Sequence, residues 1–310
     1  MSGTTVPAAP SHLDWHAWWG VLRRTVRQFQ DNKITDWAAA LTYYSVLSVF
    51  PGLLVLTAIL GLLGPSATQS LIDTIRQFGN NSGTALLIDG IEQLQGTRSL
   101  AGPLAILGLG TSLWTASGYI GAFIRAANAI YRTEEGRPIW KTVPLRVSLT
   151  ATMVLLVAVC ALGVVLTGRV ADRVGRWLGL GSAGILLWDI AKWPVLIILV
   201  SLAFALLYWA SPNARQLGFR WLTPGSTLAV LLWIAASAGF TVYATNFGSY
   251  NKVYGSLAGA VVFLVWLWLT NVAVLLGAQL DAELARGHQI EHGQPEDHEP
   301  VLPHRDEPDE

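Results

Sequence analysis

Long charge-free stretches dominate the chain, and short polar segments separate them. Lys, Arg, Asp and Glu are missing from residues 37–72, 99–124, 147–168, 193–214, 221–251 and 253–280. A helix that crosses the hydrocarbon core of a bilayer needs roughly 20 mostly apolar residues, and every window reaches that length. Helices buried in soluble proteins seldom run so far without a charge, because they are short. The alternation expected of membrane β-strands is absent, and an open sheet cannot face lipid. The pattern predicts an all-α, polytopic membrane protein with six transmembrane helices at about 39–64, 102–124, 147–168, 190–210, 225–246 and 255–280.

Outside these spans the pattern changes. Trp15, Trp18, Trp19, Leu22, Val26 and Phe29 recur on one helical face, with Arg23, Arg24, Arg27 and Gln30 off it. That is an interfacial amphipathic helix, or a helix packed on the protein's own loops. Residues 1–36 form an N-terminal segment containing it, and 37–286 form the transmembrane domain. Within the latter, 65–101 reads as an outer cap of two short amphipathic helices, carrying Leu71, Ile72, Ile75 and Phe78, then Leu87, Ile88, Ile91 and Leu94. The turn-like GNNSG lies between them. Residues 287–310 are acidic, rich in His and Pro and nearly free of apolar side chains, which predicts a disordered tail.

Composition agrees with this division. Hydrophobic residues make up 52%, charged residues 13%, and the mean hydropathy is +0.45, where a soluble domain carries about 25% charged residues. With the N-terminus inside, the inner segments hold 13 Lys and Arg and the outer segments 7. This bias predicts a multi-pass protein of the cell inner (plasma) membrane with both termini cytoplasmic. Arg169, Arg173 and Arg176 are a local exception on the outer side. No cleavable signal peptide is evident in the first 36 residues, so the first span serves as the insertion signal. Cys160 is the single cysteine, so no internal disulfide forms.

The chemistry available inside the spans is uncharged. All six His lie near the termini, so no Ser/His/Asp or Cys/His nucleophile can sit in the membrane body. No GxxxxGK[ST] phosphate loop is present. His288 and His292 have the i, i+4 spacing of a metal pair, but no Cys or second fixed pair accompanies them, and no metal or cofactor is assigned. Catalytic residues are not assigned either, and the chain does not read as an enzyme. The spans instead carry Thr42, Tyr43, Tyr44, Ser45 and Ser48 ahead of Pro51-Gly52, then Trp114 and a run of Gly, Ser and Thr in the second span. Asn128 follows that span, and Tyr254, Asn271 and Gln279 accompany the last. Each of these is either helix-packing contact or part of a substrate path. Tyr43, Tyr44, Ser45, Ser48, Pro51, Trp114, Asn128, Tyr254, Asn271 and Gln279 are therefore the candidate path residues. Pro51-Gly52 predicts a bend in the first span. The Gly-rich second span suits either internal packing or a homo-oligomer contact.

Four stretches together resemble the YihY/BrkB family of bacterial inner-membrane proteins: DWAAALTYYSVLSVFPGLL (36–54), SLWTASGYIGAFIRAANAIYRTEEGRPIW (112–140), PNARQLGFRWLTPGSTLAVLLW (212–233) and YGSLAGAVVFLVWLWLTNVAVLLGAQLDAEL (254–284). The resemblance implies six spans with both termini inside, and a family labelled a virulence factor, some of whose members carry an older ribonuclease name. Nothing in the residues supports cutting RNA, since metal ligands, a basic groove and an acid/base pair are all wanting, and no nucleic-acid partner is expected. Membrane lipids are the expected surroundings. Uncharged polar faces suit an amphiphilic or lipid-like cargo, so a transporter or flippase-like role is expected. The alternative is a non-transporting envelope scaffold in which the same residues only pack.

Overall fold

The computed structural model describes residues 15–63, 103–165, 182–216, 218–246, 256–296 and 298–308, with single helical positions between 69 and 92. At 15–17, 49–63, 103–109, 112, 165, 182–186, 189, 244–246 and 256–258 it describes the backbone alone. Seven long helices result: α1 Trp15–Asp31, α2 Ile34–Leu63, α3 Pro103–Tyr131, α4 Ile139–Val165, α5 Ser182–Ala210, α6 Pro224–Asn246 and α7 Ser256–Glu291. Among the described residues the only β pairing is one isolated bridge, between Ala214 and His304. Helices α2 to α7 each cover one charge-free stretch. They pack in chain order, α2 on α3 through to α6 on α7, and α7 closes the ring against α2.

Four helices are long and apolar enough to cross a membrane among the described residues, within 139–164, 190–210, 224–243 and 259–291. Only 17–22% of the residues in their most apolar stretches are buried. Leu155, Val157, Ile197, Ile198, Leu231 and Val265 all point outward. A belt of exposed aliphatic side chains on this scale requires an apolar surround.

The dense core lies at the end of the bundle that carries α1 and the described tail. Ile34, Leu41, Phe123, Ile130, Leu275 and Ala278 are almost inaccessible there. Phe123 and Phe204 each stack on Tyr208 with ring centroids 6.3 Å apart, within the range of favourable aromatic contacts. Helix α3 ends on Arg132 at φ 50°, and Thr133 N donates to Asn128 O at 3.0 Å. This is the six-to-one bond of a left-handed helix cap.

Helix α1 has two working faces. Val21 is fully buried against Leu280 and Leu284 of α7, and Arg24 pairs with Glu283 at 3.0 Å. Trp19, Leu22 and Val26 remain exposed beside exposed Arg23 and Arg27. The predicted apolar stripe is thus split: Trp18 and Phe29 pack inward, while its other described members stay open.

Two expectations change. The tail is not disordered where it is described. Residues 287–291 continue α7, Val301 and Leu302 are buried in the core, and Arg215 N donates to Pro303 O at 2.8 Å. Composition weighed the tail by itself, whereas two apolar residues find a seat that the bundle supplies. Helix α7 also runs past the expected limit at 280, because Glu283 and Arg286 are buried against partners instead of hydrated. The backbone of α2 is helical through Pro51 and Gly52, where a bend is expected. The outer cap at 65–101 lies almost wholly outside the described residues. At its described positions Ile72 and Ile88 are buried, and Arg76 stands 4.0 Å from Glu92.

Candidate functional site

The row of hydroxyls in α2 satisfies itself. Thr42, Ser45 and Ser48 each donate to the carbonyl four residues earlier, at 2.7 to 2.9 Å, which is the usual way a helix absorbs such groups in an apolar setting. Two of them also accept from Asn271 Nδ2 of α7, at 3.2 Å for Thr42 and 3.4 Å for Ser45. Tyr119 of α3 donates its hydroxyl to Asn271 Oδ1 at 3.0 Å. One buried amide therefore joins α2, α3 and α7. Tyr44 lies over Gly118, where an added Cβ would stand 3.1 Å from its ring. Tyr43 and Trp114 are exposed, and Arg146 of α4 sits over the Trp114 ring at 5.1 Å. Pro51 and Tyr254 lie outside the described side chains.

A second polar cluster joins the connections at the terminal end. Asn128 accepts from Asn213 N at 2.8 Å and donates to Glu135 at 2.9 Å. Arg137 grips both oxygens of Glu135, at 2.6 and 2.7 Å, and donates to Ser211 O at 2.7 Å. Burial alone would raise the Glu135 carboxyl, but the bonds from Arg137 and Asn128 outweigh it and hold it below the usual value. Asn213 reaches the tail through Asp306 O and Asp306 N, at 2.8 and 3.1 Å. Gln279 belongs to a third group. It accepts from Asn32 at 2.7 Å and donates to Glu283 at 3.2 Å.

Beside these clusters lies a cavity of about 710 Å³, between the ends of α5 and α7, the start of α6 and the tail. Trp18, Ala205, Trp209 and Leu284 give it an apolar side, and tail residues 300–304 form another wall. Its volume is that of a site for a drug-sized molecule. Arg215, Arg220, Asp281 and Glu307 supply its charges. Asp281 accepts from Gly225 N at 2.7 Å and so caps the first turn of α6. Glu307 stands 3.5 Å from His304. His288, His292 and His298 also line the cavity. His288 and His292 hold their Nδ1 atoms against the carbonyls of Leu284 and His288, at 2.9 and 2.7 Å. A carbonyl only accepts, so Nδ1 carries the hydrogen and Nε2 is the free ring nitrogen. Among the described residues no three His, Cys, Asp or Glu side chains converge as a metal site.

The ten path candidates therefore divide. Ser45 and Asn271 meet in the first cluster, with Tyr44 and Ser48 along the same helix. Asn128 and Gln279 belong to separate clusters, and none of the described candidates lines the cavity. Sequence reasoning missed Arg215 and Arg220, which belong to the short RQLGFR connection. Their spacing carries no motif, and only the fold brings them beside the tail.

The family model described as "Virulence factor BrkB" matches residues 25–301. A protein of Bacillus subtilis (strain 168) named "Putative ribonuclease-like protein YfkH" is 28% identical over 253 residues, covering 82% of this chain and 90% of its own length. "UPF0761 membrane protein" chains from Chromohalobacter salexigens and Alkalilimnicola ehrlichii are 31% and 32% identical, over 87% and 80% of this chain. The chain spans 64% and 54% of those two relatives' lengths. No solved structure matches.

Proposed function

The chain belongs to the virulence factor BrkB family, and we propose that it is a six-span inner-membrane protein with both termini in the cytoplasm that moves an amphiphilic or lipid-like envelope molecule. The orientation rests on the 13 Lys and Arg of the inner segments against 7 outside. In this setting α1 lies along the inner leaflet, with Trp19, Leu22 and Val26 toward lipid and Arg23 and Arg27 among headgroups. One observation carries the amphiphile reading. The cavity joins an apolar aromatic side to a rim with two arginines. The proposal assigns no catalysis, and the ribonuclease-like name remains that of the Bacillus subtilis relative.

Full-length protein reconstituted in vesicles with a fluorescent phospholipid in one leaflet should exchange that lipid faster than protein-free vesicles. Equal rates for several lipid headgroups would remove the transport reading. A specific observation favours the second reading, a non-transporting scaffold. The Asn271 amide already has partners on α2 and α3, so the bundle interior needs no cargo to satisfy it. A scaffold predicts no exchange and an unchanged fold.

A further inference from the structure

We infer that the cavity beside the C-terminal tail is a binding site for an acidic headgroup, a phosphate or carboxylate, seated between Arg215 and Arg220. This deepens the amphiphile reading above and rests on it for the apolar part of the ligand.

Some of the charged groups around the cavity already have partners, and two have none among the described residues. Of the acids lining the cavity, Asp281 is committed to the amide of Gly225 at the positive end of α6, and Glu307 stands beside His304. The nearby Arg305 is also committed. Its Nε donates to Ala214 O at 2.8 Å, its Nη2 to Trp209 O, and its guanidinium covers the Trp209 ring at 5.1 Å. Arg215 and Arg220 differ. Both side chains are exposed, and neither guanidinium has an ion-pair partner among the described residues. Arg215 is nonetheless held in place, because its backbone amide is tied to Pro303 O. Two guanidiniums at the rim of a concave site match the planar, multiply accepting oxygens of a phosphate or carboxylate.

The imidazoles refine the class. His288 and His292 carry their hydrogens on Nδ1 and leave Nε2 as an acceptor in the neutral form. An acid alone gives them nothing to accept. A headgroup that bears hydroxyls beside its acid, as a glycerol or sugar phosphate does, suits both sets of groups. Trp18, Trp209 and Leu284 then cover the start of an acyl chain.

The test uses full-length protein in a nonionic detergent, with dodecyl phosphate as probe and tryptophan fluorescence as readout. The double variant Arg215→Gln/Arg220→Gln alters two exposed side chains, and its thermal unfolding should match wild type. Wild type should bind dodecyl phosphate at least tenfold more tightly than the variant. Equal affinities in two folded proteins would overturn the acidic site. Zwitterionic dodecylphosphocholine should bind both alike, and a tenfold loss for it as well would overturn the assignment to net charge. Inorganic phosphate separates the sources. Failure to displace the probe at matched concentration supports a lipid, whereas full displacement overturns the lipid source in favour of free phosphate. Binding without lipid exchange in vesicles leaves the site standing and defeats transport. Exchange without arginine-dependent binding does the reverse.

Discussion

Replacing Gly225 or Gly277 by alanine should force α6 and α7 apart where they cross. A Cβ at Gly225 would stand far inside contact distance of the Gly277 carbonyl, and 2.5 Å from Asp281 Cγ. A Cβ at Gly277 would meet the Gly225 carbonyl, Tyr208 OH at 2.6 Å and Ala229 Cβ at 2.9 Å. Ordinary contact begins near 3.4 Å, and two of the obstructing atoms are backbone, so no rotamer change relieves the clash. Overpacking of this kind costs about 1–3 kcal/mol. Separation also stretches the bond from Gly225 N to Asp281, worth about 1.5–3 kcal/mol for a charged acceptor. The better helix propensity of alanine returns only about 0.5–1 kcal/mol. A net loss of about 2–4 kcal/mol follows, and at roughly 2–4 °C per kcal/mol the unfolding midpoint of detergent-solubilised protein should fall by several degrees. Gly239 lies on the same α6 with nothing within 4 Å of an added Cβ, so Gly239→Ala should match or slightly exceed wild type. If Gly225→Ala and Gly239→Ala unfold together at the wild-type temperature, the close crossing is wrong.

Asn271→Ala removes the acceptor of the buried Tyr119 hydroxyl and should lower stability by about 1–2 kcal/mol; adding Tyr119→Phe should cost less than the sum of the two single changes, which thermal unfolding of the cycle would show. Leu302→Ala should cost about 2 kcal/mol and speed proteolysis of the tail, since Leu302 is buried with the core; a mobile tail would show neither change. Glu135 has its folded carboxyl held below 4.5, the ordinary value. Its stabilising contribution is therefore complete above 4.5 and is lost as pH falls through the depressed folded value. Wild type should exceed Glu135→Gln in midpoint at pH 7 and approach it in acid, and a difference unchanged by acid would mean that the Arg137 pairing does not set the charge state.

Helix placement was legible because charge is the signal that a bilayer filters. Each of α2 to α7 covers a stretch that could be drawn from missing Lys, Arg, Asp and Glu. The same signal misjudged the end of α7, where Glu283 is buried with Arg24 and Gln279. A charge marks a helix boundary only when water, and not a partner, receives it. The tail failed for a related reason: its apolar content is small, but Val301 and Leu302 use a surface made elsewhere in the chain. The polar residues of the opening span were recognisable as a cluster, and Asn271 as its partner was not, since 226 residues separate it from Ser45. Arg215 and Arg220 could not be singled out at all. Their meaning depends on Asp281, Glu307 and Arg305 being occupied.

Where water enters tests the account most directly. On a Cys160→Ala background, single cysteines at Gln289 and Gln216, half-buried in the cavity wall, and at Thr42 and Ser45 in the polar cluster would be challenged with a membrane-impermeant maleimide, applied from each side of sealed vesicles. The account predicts labelling at 289 and 216 from the side that carries α1 and the tail, blocked by dodecyl phosphate, with 42 and 45 unreactive from either side. Reactive cysteines at 42 and 45 with 289 protected would contradict it, and would place the wet path along α2 in the interior of the bundle.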